Sequence, residues 1–234
     1  MVYGYYSSMI VLIPAIIFTI WAQASVKSNF GKYSRISNSK GITGMQAAKA
    51  MLDANGLSGI PINIIQGNAL TNYYDPRNKT LNLSDEVYNT ASITAMCVAC
   101  HEVGHAIQDD IGYGPLRFRN TLVPVVNLTQ NLAWPLIIIG MILTFSADTQ
   151  SIFFSLGVLC FVFVVLFHLV TLPVEFNASN RALEQLQELS LVNDQDYAGS
   201  KKVLKAAAMT YVAALATALS NLLRILIIVG GRRD

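Results

Sequence analysis

The chain has 234 residues, 53% of them hydrophobic and only 13% charged, with a mean hydropathy of +0.45 and a formal net charge of +2. That balance is too apolar for an ordinary soluble domain and points to a membrane protein. Its basic residues are scattered without an aromatic platform and no glycine-rich phosphate loop occurs, so nothing supports nucleic-acid or nucleotide binding.

Taken in chain order, the first element is an apolar run from about 3 to 24. Three more follow at about 122 to 145, about 152 to 172 and about 206 to 229, each near the roughly 20 residues that a bilayer-spanning helix needs. "AQA" at 22 to 24 resembles a signal-peptidase site, but residues 1 to 9 lack the basic start of a signal peptide, so the first run reads as an uncleaved anchor. Lys27, Lys32, Arg35, Lys40, Lys49, Arg77, Lys79, Arg117 and Arg119 lie between the first two runs, while residues 1 to 26 and 146 to 151 carry no Lys or Arg. The positive-inside rule then predicts a cytoplasmic segment from 27 to 121 and an external amino terminus. A membrane hairpin over 122–172 returns the chain to the cytoplasm for 173–205, where Arg181, Lys201, Lys202 and Lys205 lie. Arg224 and the tail "GRRD" oppose an external end, so 206–234 is expected either to span or to lie at the interface.

Within the polar segment, Thr43 and Gln46 have capping-box spacing and Gly56 stands where a left-handed cap belongs, predicting a helix over 44–55. "PINIIQ" and "KTLNLS", separated by the turn signal in "TNYYDPRN", predict a small antiparallel sheet from about 61 to 83. Ser84 then caps a helix expected to run unbroken to Gln108, roughly 24 residues.

Near the end of that helix, "MCVACHEVGHAIQ" contains two overlapping motifs, the C-x-x-C-H of a c-type haem and the H-E-x-x-H of a zinc protease. One helical turn separates His101 from His105, so both imidazoles can meet one zinc at about 2.0 to 2.1 Å. Glu102 projects about 100° further round, suited to taking a proton from a water at the metal. Cys97 is displaced about 12 Å along an unbroken helix from His105, too far to share the ion. Haem attachment belongs to exported segments, and the charges put this one inside. Zinc is therefore the expected cofactor, one per chain, with Cys97 and Cys100 as packing residues. Cys160 falls in an apolar run, so no disulfide framework is expected.

A third ligand must come from elsewhere. Gln108 and Ile111 occupy positions where a metzincin would have glycine and histidine, which excludes that class. Asp109 and Asp110 fall at or beyond the expected helix end, and His168 lies inside the apolar run "FVFVVLFHLV". Glu175 is the better choice: a carboxylate at bilayer depth costs about 2.5 to 3.5 kcal/mol, and the hairpin returns it to the side of His101.

"YYDPRNKTLNLSDEVYN", "HEVGHAIQ", "LPVEFNASNRAL" and "AAAMTYVAALATAL", in that order, resemble the YugP-like membrane zinc metallopeptidases of bacteria over nearly the whole chain. The resemblance implies a mainly α membrane protein with a small α+β zincin-like region of gluzincin type. It implies zinc on His101, His105 and Glu175, with Glu102 catalytic. Related membrane gluzincins follow the glutamate ligand with an Ala-Asp pair, whereas Ala178 and Ser179 stand here. The group that orients a ligating histidine is thus left open, Asn177 being one choice. The expected activity is endopeptidase cleavage of peptide or protein substrates, with Tyr73, Tyr74, Tyr113 and Arg181 as alternative oxyanion donors. The rival reading, a non-catalytic zinc-binding scaffold, is disfavoured by Glu102, since structural sites tend to be closed by four protein ligands.

Overall fold

The computed structural model describes residues 9–147 and 152–230. It is mainly helical, with a small three-stranded sheet: α1 (Leu12–Tyr33), α2 (Gly44–Ala54), β1 (Ile62–Ile65), β2 (Tyr73–Asp75), β3 (Thr80–Ser84), α3 (Asp85–Asn89), α4 (Ile93–Asp110), α5 (Gly114–Ala147), α6 (Ile152–Glu188) and α7 (Asp194–Gly230). Two compact units share these helices. Of the described residues, one comprises 9–21, 117–147, 152–172 and 211–230, and the other 22–116 and 173–210.

In the first unit, apolar side chains line helices that leave many of them exposed, among them Leu128, Ile138, Ile142, Leu159, Leu166 and Leu223. Exposed apolar surface of this extent suits a lipid environment. Among the described residues three helices are long and apolar enough to cross a membrane, over Gly114–Leu143, Ile152–Glu188 and Asp194–Ile227. The expected count was four. α1 is not among the three: from Gln23 onward its apolar run gives way to Ser25, Lys27, Ser28 and Asn29, and the first residues of the expected span, 3–8, lie outside the described residues. Small residues let α5 and α6 approach closely, since a Cβ on Gly157 would lie 2.7 Å from Ile137. Trp134 and Phe161 pack edge to face there, 5.4 Å between centroids.

The second unit buries Met51, Leu52, Leu81, Leu83, Val87, Ile93, Met96 and Val103 around the inner face of α4. α2 starts on the expected capping box, Thr43 N–H to Gln46 Oε1 at 2.8 Å and Gln46 N–H to Thr43 Oγ1 at 3.3 Å. Gly56 follows it at φ +73°, the left-handed region that favours glycine.

Two expectations are corrected here. The sheet is mixed, in the order β1-β3-β2: β2 and β3 pair antiparallel, but β1 pairs with β3 in parallel, Ile62 opposite Leu81 and Ile65 opposite Ser84. The chain between β1 and β2 crosses over, so the short strands do not form a simple meander. The helix expected from Ser84 to Gln108 is two helices. Thr90 leaves α3 extended at ψ 136°, and Ser92 caps α4 by accepting from Ala95 N–H at 3.1 Å. The break is tertiary in origin: Ile93 N–H donates to Ile36 O, Asn38 N–H to Ala91 O and Gly44 N–H to Thr90 O, so the segment before α2 takes the backbone groups a continuous helix would use.

Candidate metal centre

α4 is unbroken from Ile93 to Asp110 and presents His101 and His105 one turn apart. α6 brings Glu175 to them, two residues after Pro173. Glu175 Oε2 lies 3.3 Å from His101 Nε2 and 3.6 Å from His105 Nε2. One ligand atom from each residue falls within 4.8 Å of the others, a group able to hold a metal ion. Glu175 is 3% exposed. The imidazoles meet nearly at right angles, 4.8 Å between centroids.

The two α helices can come this close because residue 104 has no side chain. A Cβ on Gly104 would lie 2.6 Å from the carbonyl oxygen of Ala178 on α6. The sequence alone marks Gly104 only as a tolerated helix glycine; its partner across the packing interface gives the reason.

Each histidine is also held from behind. His101 Nδ1 lies 3.2 Å from Ser179 Oγ, and His105 Nδ1 lies 3.0 Å from Gln108 Oε1. Gln108 Nε2 in turn donates to Val174 O at 2.8 Å and Asn177 Oδ1 at 3.0 Å, and Arg181 Nε donates to the same Asn177 oxygen at 2.8 Å. Sequence reasoning missed Gln108, and it took Ser179 for a missing partner. Asn177 is linked to His105 through Gln108. A polar residue one turn after a ligand histidine was the available signal. Glu102, half-buried beside His101, accepts a hydrogen bond from Tyr74 N–H in β2 at 3.1 Å.

Residues 8–230 match the family model described as "Putative neutral zinc metallopeptidase". The chain belongs to this family. A relative in Bacillus subtilis (strain 168), "Putative membrane protease YugP", is 43% identical over 222 residues, covering 95% of this chain and 96% of the relative. No solved structure matches.

The donor set fits the ion that the name of this zinc metallopeptidase family implies. Two imidazole nitrogens and a carboxylate oxygen are ordinary zinc ligands, and ligands at about 2.0 to 2.1 Å in a tetrahedron are about 3.3 to 3.4 Å apart. The two Nε2–Oε2 separations, 3.3 and 3.6 Å, are close to that, and all three donor atoms lie within 4.8 Å. Two ring nitrogens also converge on one buried carboxylate, an arrangement that a bound cation would satisfy.

The other candidate donors do not belong to this group. Cys97 and Cys100 are fully buried in α4. Burial pushes the Cys97 thiol up to about 12 and raises the Cys100 thiol as well, which disfavours the thiolate that a metal requires. α4 extends to include Asp109 and Asp110, contrary to the expected end at Gln108. Asp109 accepts from Tyr74 Oη at 2.9 Å and pairs with Lys79, and burial together with Asp109 raises the pKa of the Tyr74 phenol. His168 packs edge-on to Phe167 in the apolar part of α6.

Proposed function

We propose that this chain is a membrane-embedded zinc endopeptidase in which His101, His105 and Glu175 hold one zinc ion and Glu102 is the general base. The observation that carries the reading is the convergence of three donor atoms within 4.8 Å, from two separate helices, with Glu102 next to His101 in α4. Zinc would supply Lewis acidity, polarising the scissile carbonyl and acidifying a water.

The chain's own residues do the rest. Glu102 takes the proton of the attacking water and delivers it to the leaving amine, and the Tyr74 amide holds its carboxylate in place for both transfers. β2 lies at one edge of the sheet, so an extended peptide pairing with it would run alongside Glu102. Of the alternative oxyanion donors, the Tyr74 hydroxyl is engaged by Asp109, which leaves Tyr73, Tyr113 and the terminal N–H groups of Arg181 as the better choices. The basic residues of 27–121 favour a cytoplasmic site on a multi-pass protein of the cell membrane, with peptides or membrane proteins as substrates.

Glu102→Gln tests the assignment. The variant is expected to bind one zinc per chain while cleavage of an unfolded reporter protein falls by about 10²- to 10⁴-fold, the usual contribution of a general base. Unaltered cleavage overturns the role given to Glu102.

A further inference from the structure

We infer that Arg181, Asn177 and Gln108 form a hydrogen-bond chain, converging on the Asn177 amide oxygen, that orients the Gln108 amide and so fixes which nitrogen of His105 faces the metal, making these three residues positioning residues of the site. The inference rests on the zinc reading for its consequence, but its geometry stands on hydrogen bonding alone.

The direction follows from which groups can only give or only receive a hydrogen. A guanidinium has no acceptor, so the Asn177 atom 2.8 Å from Arg181 Nε is the amide oxygen. That oxygen can only accept, so the Gln108 atom 3.0 Å from it is the amide nitrogen. The Val174 backbone carbonyl, 2.8 Å from the same nitrogen, makes the same demand independently. Gln108 is fully buried, so no flip of its amide can be repaired by water. Its oxygen is thereby directed at His105 Nδ1, 3.0 Å away, and that nitrogen must carry a hydrogen. Nε2, 3.6 Å from Glu175 Oε2, is then the ring nitrogen that would bind the ion.

His101 is held differently. Its partner is the Ser179 hydroxyl, which rotates and can donate or accept, so it imposes no direction. One ligand of the pair is preset and the other adapts, an asymmetry that the symmetric spacing of His101 and His105 conceals.

The test uses the full-length protein in detergent with ¹⁵N-labelled histidine, examined by NMR with and without zinc, the His105 signals being identified by their loss in His105→Gln. Wild type is expected to keep a hydrogen on His105 Nδ1, protected from exchange, in both states. Gln108→Leu should lose that protection and weaken zinc by about 10- to 100-fold in competition with a chelator. Asn177→Asp keeps an acceptor for both donors, so it should retain the protected proton and bind zinc at least about tenfold more tightly than Gln108→Leu. A bare Nδ1 in wild type overturns the hydrogen-bond chain even where Gln108→Leu fails to fold, and so does unchanged zinc affinity in Gln108→Leu. Uptake of no zinc with a protected Nδ1 proton would defeat the zinc reading and leave the chain standing; zinc with a bare Nδ1 would do the reverse.

Discussion

The two ends of α6 are one continuous helix with opposite chemistry. From Ile152 to Leu172 its side chains are almost entirely apolar, with Leu159, Leu166 and Leu169 exposed, and His168 lies against Phe167. Beyond Pro173 the same helix carries Glu175, Asn177, Ser179 and Arg181 within two turns; the first three reach side chains of α4, and Arg181 holds Asn177. A helix half made for lipid needs only apolar surface, and it is tolerant of detail. The half that carries the site needs each polar group matched, because a buried group left unmatched costs about 1 to 3 kcal/mol.

That contrast can be broken most severely at Glu175. Glu175→Ala is expected to reduce zinc affinity by more than the roughly 10- to 100-fold typical of an outer partner, measured by chelator competition. Next in size is Gly104→Ala, which places a methyl group against the Ala178 carbonyl. It should destabilise the protein by about 1 to 3 kcal/mol in chemical denaturation and weaken zinc by parting α4 from α6. Ser179→Ala should lower zinc affinity by about tenfold, whereas Ser179→Asp should bind at least as tightly as wild type, because a carboxylate raises the basicity of its histidine.

Smaller effects sharpen the comparison from the other side. Cys97→Ala with Cys100→Ala should leave zinc content unchanged. In the wild type, both thiols should resist maleimide at pH 8, since a thiol raised to about 12 stays neutral there, and should react once the chain is unfolded. His168→Leu, at the apolar end of α6, should leave zinc stoichiometry unaltered, and loss of metal in that variant would place the site at the wrong end of the helix.

The parts of this site legible in the sequence are those set by local rules. Helical spacing pairs His101 with His105, caps fix the start of α2, and the rarity of a carboxylate beside an apolar run singles out Glu175. What escaped was decided across space. No Gly or Pro marks the break at Thr90–Ser92, because it is made by backbone bonds from Ile36, Asn38 and Gly44. The parallel pairing of β1 has no local signal either, since strand direction depends on the path of the crossover. Gln108 and Ser179 read as departures from the motifs of other protease classes. Their roles emerge only when α6 is laid against α4, where a hydroxyl and an amide do the orienting that a carboxylate does elsewhere.

Zinc K-edge X-ray absorption on the purified full-length protein tests the central claim most directly. The assignment of His101, His105 and Glu175 predicts one zinc per chain with nitrogen and oxygen ligands at about 2.0 to 2.1 Å, two of them imidazoles. A sulfur shell at about 2.3 Å would draw Cys97 or Cys100 into the site and contradict it.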